Sequence, residues 1–493
     1  MIRRLFLLCL SSLIYINVLA QTNEAQLRYE EFRKQARNEY EAFRDEANRQ
    51  YAEWMKDAWV SYKVLPAIPK PKEKETPPVM IDEEEKNKPL NDNPLPIEGI
   101  ITTPNPEPQP VPIGPIREQP QPQEKCVSFL FYGTILQVRF NDEERFKLIN
   151  LSEQSLSEAW TKLSGTTYNN TIRDCLELRI RLNLNDWAYL LMLQKLSEAC
   201  FGKSNEATML MAFIFCQSGY MMRLGLANNK LVMLFGSKHH IYDWAYYTSG
   251  DYCLYPIGIE ARDMQICDMQ FPNEKPLSLW IVQQPKLTCN MSKERVLKSR
   301  RYDDIKVMVS VNKNLIDFYN DYPASEADDN FMTRWAMYAN TPIAKEVTEN
   351  LYPILRKRLE GLTQLESVER LLNWVQTAFV YEYDEKVWGG DRTFFAEESL
   401  YYPYCDCEDR SILFSHLVRD LVGLEVVLVY YPGHLAAAVC FTEDVKGDYI
   451  PLGNKRFTIC DPTYIGAPVG RTMPKMNNKT ANVILLNHSL GKL

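Results

Sequence analysis

Three residues near the C-terminus carry side chains that together can perform acyl transfer. Cys407 supplies a thiol, His434 an imidazole and Asp461 a carboxylate, in that order along the chain. A cysteine becomes a strong nucleophile when an imidazole accepts its proton, and a carboxylate orients that imidazole and stabilises its charged form. Held together, these three groups could attack a peptide or amide carbonyl, but the three residue types occur in this order by chance in many chains, so the segments around them must support the interpretation.

The segments around these residues predict elements that can bring them together. Residues 407–422 have the apolar spacing of a helix that ends at Gly423. Cys407 then lies at a helix N-terminus, where the dipole and the free backbone N–H groups stabilise a thiolate. After this helix the sequence predicts three strands, over residues 424–430, 435–441 and 456–460. His434 then lies at the start of the second strand, and Asp461 directly follows the third.

Two details of this site are left as alternatives. Cys405 is a second thiol close to Cys407, but we rank it lower as a nucleophile because it lies further from the helix start. The oxyanion donor is expected to be the Cys407 backbone N–H, with Tyr383 and Trp388 as weaker candidates.

The local motifs resemble those of the transglutaminase-like superfamily, and within it the bacterial transglutaminase-like cysteine peptidases. The resemblance rests on the run Asp-Cys-Glu-Asp at 406–409, the His after Gly433 and the run Asp-Pro-Thr at 461–463, and it covers roughly residues 340–475. It implies a papain/transglutaminase-like fold with Cys407 as nucleophile, His434 as general base and acid, and Asp461 as orienting carboxylate. The short Cys-to-His interval and the long loop before Asp461 depart from the family pattern and leave the substrate class open.

The resemblance also bears on metals. In some members the acidic residues beside the cysteine bind calcium, which makes Asp406 and Glu408 candidate ligands. Capping of the helix is the role that a position in the first turn favours. No other cofactor is expected. Zinc is not indicated, because residues 239–240 (His-His) have no further Cys or His at ligand spacing and His416 falls inside a helix.

The N-terminus reads as an export signal. Two arginines at positions 3 and 4 precede an apolar stretch, residues 5–18, and Ala20 closes the segment. This pattern predicts a signal peptide over 1–20 and an exported protein that is periplasmic, envelope-associated or secreted. The protein would be membrane-bound only if the signal stayed uncleaved. Eleven cysteines remain after Ala20, so complete disulfide pairing would leave one thiol.

Two segments of different composition follow the signal. Residues 21–63 contain an 11-residue repeat of aromatic and alanine residues at helical spacing, which predicts an amphipathic helix that packs either on its own protein or on a second copy. Residues 64–125 hold 16 of the 29 prolines and an acidic run. This composition predicts a disordered, extended linker that acts as a spacer.

Two globular regions complete the predicted architecture, which is α+β throughout. Strand and helix patterns predict an α+β domain over 126–295 and the transglutaminase-like catalytic domain over 296–493. The upstream domain repeats the order helix, Gly, strand, and is therefore a candidate degenerate copy of the catalytic domain. If Gly219 matches Gly423, the place of Cys407 falls near Lys203, so this copy would be inactive.

The charge and composition of the chain limit the classes of partner that it is expected to bind. The net charge is −8 and no basic stripe is present, which argues against nucleic-acid binding. The expected partner is a protein or peptide substrate. The leading hypothesis is a cysteine peptidase or amidase, and two alternatives remain open: a transglutaminase that cross-links proteins, and a non-catalytic envelope scaffold that keeps the fold for binding.

Overall fold

A computed structural model describes residues 29–72, 76–120, 124–476 and 480–487. These residues fold as a mixed α+β protein, as predicted, with helices packed against two large sheets. The predicted signal peptide, residues 1–20, lies outside the described residues. Among the helices in the described ranges, none is long and apolar enough to cross a membrane.

The helices of the described residues range from one turn to about seven turns, and a π-helical turn over Val418–Val422 extends the last of them. In chain order they are α1 (29–54), α2 (Glu83–Asn87), α3 (Glu153–Leu163), α4 (Asn169–Arg181), α5 (Asp186–Phe201), α6 (Asn205–Gln217), α7 (Lys313–Asn320), α8 (Thr333–Asn340), α9 (Lys345–Leu359), α10 (Gln364–Ala378), α11 (Asp384–Val387), α12 (Ala396–Tyr401) and α13 (Cys407–Leu417).

The strands of the described residues form the two large sheets and several two-stranded ladders. In chain order they are β1 (Trp59–Tyr62), β2 (Val79–Met80), β3 (Asn93–Pro94), β4 (Ile97–Ile101), β5 (Cys126–Phe131), β6 (Thr134–Arg139), β7 (Met222–Ala227), β8 (Lys230–Ser237), β9 (His240–Ile241), β10 (Tyr247–Ser249), β11 (Tyr252–Pro256), β12 (Met264–Cys267), β13 (Arg295–Lys298), β14 (Lys306–Val309), β15 (Ser325–Glu326), β16 (Val380–Tyr381), β17 (Tyr404–Cys405), β18 (Glu425–Tyr431), β19 (His434–Cys440), β20 (Asp448–Leu452), β21 (Lys455–Cys460), β22 (Tyr464–Ile465) and β23 (Ala481–Leu485).

The N-terminal helix is shorter than the predicted segment 21–63. Helix α1 ends at residue 54, and β1 follows it and pairs with β12. The predicted apolar stripe is divided between two environments. Ala47 and Tyr51 are buried, with the Tyr51 ring 4.6 Å from that of Trp160, whereas Phe32 and Phe43 are exposed. The C-terminal part of the helix thus packs on its own protein, and self-association through the exposed part stays a prediction.

The proline-rich segment does not stand away from the folded part as a spacer. Its described residues supply β2, β3 and β4, which pair in parallel with β22, β20 and β23 respectively. Gln109 also donates to the backbone oxygen of Leu184 and to the side chain of Asp186. The prediction of a disordered linker over 64–125 is therefore wrong for these residues. The segment buries little apolar surface of its own. It is ordered instead by the strand edges of other elements, which accept an extended, proline-containing chain.

The two large sheets share one order of strands. The first is ordered β1-β12-β7-β8-β11-β10, and the second, read from its far edge, is ordered β4-β23-β18-β19-β21-β20-β3. In each, a helix is followed by an antiparallel hairpin on which it packs: α6 with β7 and β8, and α13 with β18 and β19. The outer strands differ, because β1 pairs antiparallel and β4 pairs parallel. This repeated order supports the interpretation of the upstream region as a copy.

Matching the two sheets identifies what the upstream copy carries at the three site positions. Asn205 begins α6 as Cys407 begins α13, and Lys230 begins β8 as His434 begins β19. Ile257 follows β11 as Asp461 follows β21. Asn205 lies two positions after Lys203, near which the sequence placed the match to Cys407, and the upstream sheet has no thiol, imidazole or carboxylate at these three places.

The predicted domain boundary at 295/296 falls at the first residue of β13. A single hydrophobic core runs on both sides of it, and β13 packs on α10. Strands β3 and β4 of the proline-rich segment also belong to the C-terminal sheet. A fragment that begins at residue 296 would therefore lose two strands and divide the core.

The apolar run 207–224 does not form one continuous helix. The apolar run 207–224 contains the end of α6 at Gln217, then Gly219 with a φ of +94°, then the start of β7 at Met222. A left-handed glycine ends a helix, and Cys216 and Met222 are both buried. Apolar continuity across the turn arises because helix and strand enter the same core.

Candidate active site

The start of α13 positions Cys407. Asp406 is the N-cap, and its Oδ1 accepts a hydrogen bond from the backbone N–H of Asp409, whose carboxylate in turn accepts from the Asp406 N–H. This capping box fixes the first turn. Cys407 is therefore the first residue of the helix, where backbone N–H groups have no partner within the helix. Its side chain is almost fully covered, since the residue is 3% exposed.

Helix α13 packs along β19, which places the beginnings of the two elements side by side. Ser411, one turn after Cys407, donates its hydroxyl to the backbone oxygen of Leu435 at 2.9 Å. Leu435 directly follows His434, and the preceding Gly433 has a φ of +76° that turns the chain between β18 and β19. The imidazole is thereby held at the same end of the site as the thiol.

His434 and Asp461 form a direct pair, as the sequence predicted. The distance from His434 Nε2 to Asp461 Oδ2 is 2.8 Å, and both residues are buried. Asp461 Oδ1 accepts from the backbone N–H groups of Thr463 and Tyr464, so the carboxylate is fixed by its own loop. With Nε2 donating to the carboxylate, Nδ1 of His434 keeps its lone pair. Nδ1 is buried and has no hydrogen-bond partner.

Cys407 and His434 line one cavity of about 540 Å³, whereas Asp461 lies behind the imidazole. The side chains of Arg334, Trp335 and Tyr430 also line it, and the Trp335 and Tyr430 rings are 5.2 Å apart. The cavity therefore combines a thiol, an imidazole and aromatic walls, which are the parts needed to hold and attack an acyl group.

Cys405 does not share this environment. It lies in β17, which pairs with β16, and it is not among the residues that line the cavity. Burial raises the pKa of its thiol above the ordinary value. A buried thiol outside the cavity is a poor nucleophile, which agrees with the lower rank that Cys405 received from the sequence.

Carboxylates surround the thiol on one side. One oxygen each from Asp384, Asp391 and Glu408 lies within 4.8 Å of the others, and Cys407 Sγ is 3.8 Å from Glu408 Oε2. Burial and the nearby charges of Asp384 and Glu408 hold the pKa of Asp409 well above its ordinary range. This concentration of negative charge disfavours a thiolate unless a cation or a proton offsets it.

The same carboxylates are the oxygen donors that calcium would require. Glu408, a predicted ligand, fits such a site together with Asp384 and Asp391, because carboxylate oxygens are the donors calcium prefers. Asp406, the other predicted ligand, caps α13 through Oδ1, and one of its carboxylate oxygens also lies within 4.8 Å of ligand atoms of Cys407 and Glu408. Arg334 already binds Asp391 with an Nη2 to Oδ1 distance of 2.8 Å and supplies one compensating charge.

A residue that the sequence did not single out holds the loop after Asp461. Gln376 in α10 donates to the backbone oxygens of Asp461, Tyr464 and Ala467 and accepts from the N–H of Gly466. Gln376 is 2% exposed. Its position more than 80 residues before Asp461 gave no local signal, because the contact depends on how α10 packs beside α13.

The remaining histidines and oxyanion candidates lie elsewhere. His239 is buried, its Nε2 accepts from the N–H of Leu279, and burial lowers its pKa to about 4. Burial also lowers the pKa of His416 inside α13. Tyr383 and Trp388 are absent from the cavity lining. Neither of the weaker oxyanion candidates therefore borders the cavity that Cys407 lines, and the Cys407 N–H stays a prediction.

The described cysteines are all free thiols. Cys126 and Cys289 are exposed, Cys440 is intermediate, and the others after the predicted signal are buried. Because none of these eleven cysteines is in a disulfide, the odd number of cysteines does not single out one unpaired thiol.

Comparisons with known proteins give no relative for this chain: no family model matches it, and no curated protein matches its sequence.

Proposed function

We propose that the protein is an exported thiol hydrolase, a cysteine peptidase or amidase that acts by acyl transfer through Cys407. The observation that carries this proposal is the pairing of His434 Nε2 with Asp461 at 2.8 Å, in a cavity that His434 and Cys407 line together. This pairing leaves Nδ1 of the imidazole as the proton acceptor, which is the role a thiol nucleophile requires.

In the first half of the reaction, His434 Nδ1 takes the proton from the Cys407 thiol. Sγ then attacks the carbonyl carbon of the bound peptide or amide, and the carbonyl oxygen becomes an oxyanion that accepts from the Cys407 N–H at the helix start. When the tetrahedral intermediate collapses, the C–N bond breaks, the amine leaves with the proton held by His434, and a thioester remains on Cys407.

In the second half, water replaces the amine. His434 takes a proton from the water molecule, whose oxygen attacks the thioester carbonyl, and the C–S bond breaks as the proton returns to sulfur. Asp461 stays ionised and stabilises the imidazolium through both halves. Calcium bound at Asp384, Asp391 and Glu408 would reduce the negative charge beside the sulfur.

The arrangement of elements supports a transglutaminase-like fold for this part of the chain. The thiol begins a helix, the imidazole begins a strand that packs on that helix, and the carboxylate ends the neighbouring strand. This is the order and placement that the resemblance implies. The family assignment is part of the proposal.

Transfer to an amine is a second candidate function, and one observation favours it. Five carboxylates line the cavity, and the primary amine of Lys70 lies at its wall. Such a lining attracts amines and could bring a lysine to the thioester in place of water. The triad chemistry is the same, and only the acceptor differs.

The proposal is tested by trapping the acyl-enzyme. The purified protein is incubated with 4-nitrophenyl acetate, and acetylated residues are mapped by mass spectrometry with and without hydroxylamine, which cleaves thioesters. We expect a transient acetyl thioester on Cys407 that does not form in the Cys407→Ala variant and forms much more slowly in His434→Ala. His240→Ala is the matched control, because His240 lies outside the cavity, and it should behave as the wild type.

Acetylation that is the same in the wild type, Cys407→Ala and His434→Ala would overturn the enzymatic proposal. The non-catalytic scaffold would then be the remaining alternative. Adding a primary-amine probe then separates the two acceptors: an amide product that depends on the probe indicates transfer, and free acetate alone indicates hydrolysis.

A further inference from the structure

One segment of the chain lies along the candidate active site. We name residues 65–72 the strap. It begins beside the upstream region 126–295, where Leu65 exchanges backbone hydrogen bonds with Tyr246. The N–H of Asp243 then donates to the oxygen of Ile68 at 2.8 Å. Further along, the N–H of Thr76 donates to the oxygen of Gly433, the residue before His434, at 2.7 Å. Backbone hydrogen bonds therefore hold the strap on one side of the cavity, and Thr76, just after the strap, is held on the other side.

The strap forms part of the cavity wall itself. Its residues 69–72 (Pro-Lys-Pro-Lys) line the same space as Cys407 and His434, and Lys70 Nζ donates to the backbone oxygen of Asp391 at 2.8 Å. With the strap in this position, Cys407 is 3% and His434 is 2% exposed. The strap therefore forms one wall of the space through which a substrate carbonyl must approach the sulfur.

The sequence of the strap matches the chemistry of the cavity. The prolines at 66, 69 and 71 favour an extended chain and remove backbone donors that would otherwise need partners. The two lysines line the cavity together with five acidic residues: Asp243, Glu385, Asp391, Asp406 and Glu408. Apart from the strap, Arg334 is the one lysine or arginine among the residues that line the cavity. The negative lining therefore favours a basic chain at the place where an incoming peptide would bind.

We propose that the cavity at Cys407 is a binding site for an extended, basic, proline-containing peptide, and that the strap is its internal occupant. The strap excludes substrate until it is displaced by a competing peptide or released by cleavage of the chain. The binding site does not depend on catalysis, whereas the consequence for activity rests on the proposed function.

The test measures how fast iodoacetamide labels Cys407 in the full-length protein, with the exposed Cys126 and Cys289 as internal references. In one variant, Pro69→Gly, Lys70→Ser, Pro71→Gly and Lys72→Ser are combined. We expect labelling of Cys407 to rise by about tenfold or more, because labelling is limited by the fraction of molecules with an open site. Labelling of the two reference cysteines should not change.

A second, milder variant guards against misfolding of the first. Lys70→Glu with Lys72→Glu reverses the charge that holds the strap, and should also accelerate labelling. Lys86→Glu with Lys88→Glu is the matched control, because these lysines lie in the same segment but outside the cavity, and should leave the rate unchanged. Equal labelling rates in the wild type and both strap variants would overturn the proposal.

The ligand chemistry is tested by adding a synthetic peptide, Leu-Pro-Ala-Ile-Pro-Lys-Pro-Lys, to the first variant. It should slow labelling of Cys407, and the same peptide with both lysines replaced by glutamate should not. Protection by neither peptide, or by both equally, would contradict the assignment of a basic ligand.

The result is separable from the proposed function. Faster labelling on strap replacement should also occur in the His434→Ala background, where the chemistry is lost. Faster labelling without any acyl transfer would retain the strap and overturn the enzyme. Acyl transfer with no effect of the strap variants would retain the enzyme and overturn the strap.

Discussion

Replacing Asp461 with asparagine tests the roles of the imidazole nitrogens. Asp461 Oδ1 accepts two backbone N–H groups, at 2.8 Å from Thr463 and 3.1 Å from Tyr464. In Asp461→Asn the amide oxygen must take the position of Oδ1, because an NH₂ group at that position would face the two backbone N–H donors. The NH₂ group then points at His434 Nε2, which becomes an acceptor, so the imidazole proton moves to Nδ1. The variant keeps the fold but removes the base that faces Cys407.

The expected loss can be bounded. The analogous change in a serine triad lowers turnover by about 10⁴-fold, and we expect a loss of roughly 10³- to 10⁴-fold in acyl transfer here, which is about 4 to 5.5 kcal/mol of transition-state stabilisation. For alkylation the effect is smaller. Near pH 6 an unassisted thiol is roughly 0.3% thiolate, whereas a thiol paired with His434 is largely thiolate. Because the paired thiolate is intrinsically less nucleophilic, we expect Cys407 to be alkylated only about tenfold more slowly in Asp461→Asn than in the wild type.

The assay compares Asp461→Asn with the wild type for acetylation of Cys407 by 4-nitrophenyl acetate and for alkylation at several pH values. Both proteins carry the same strap, so its opening equilibrium cancels in the ratio. Asp303→Asn is the matched control, because the Asp303 side chain is 88% exposed and lies outside the site. An Asp461→Asn variant that acylates within about twofold of the wild type would refute the reasoning, since catalysis would then not need the imidazole in this tautomer.

Three further predictions concern stability and metal binding. Burial raises the pKa of Glu397 to about 7. Its contribution to stability is complete below the unfolded-state pKa and is lost as pH rises through about 7. The free energy of unfolding should therefore fall by about 2–3 kcal/mol between pH 5 and 8. Urea denaturation of Glu397→Gln should show a flatter pH dependence, and an unchanged slope would refute this assignment. Gln376→Leu leaves three buried carbonyl groups without their donor, so we expect a loss of about 1–3 kcal/mol in urea denaturation together with slower acetylation of Cys407; wild-type acetylation would show that the loop holds Asp461 unaided. Calcium added to EGTA-treated protein should raise the melting temperature, and Glu408→Gln should remove most of that rise, whereas an equal rise in both proteins would place calcium elsewhere.

The local elements of the site could be predicted because each is specified by its own residues. The Asp406–Asp409 capping box, the apolar face that follows and Gly423 define α13 without reference to the rest of the chain. Strand β19 is a continuous apolar run after His434, and β21, which ends before Asp461, places Phe457 and Ile459 in alternation with polar residues. The predicted pairing of His434 with Asp461 followed from these local elements and is present in the structure.

The surroundings of the site could not be predicted because they come from distant segments. Gln376, Arg334 and the strap reach the site through the packing of α10, α8 and the proline-rich segment, and none has a local motif. Composition suggested that residues 64–125 would stay disordered, since proline-rich segments bury little of their own surface. Their order comes instead from backbone pairing with other strands, a contribution that no count of apolar residues contains.

The most direct test of the central claim is the pH dependence of Cys407 alkylation relative to Cys289 in the same molecule. A thiol activated by His434 should keep reacting below about pH 7, where an ordinary exposed thiol loses reactivity tenfold per pH unit, so the ratio of the two rates should rise as pH falls and the rise should vanish in His434→Ala. A ratio that stays constant with pH, or that rises equally in His434→Ala, would contradict the account.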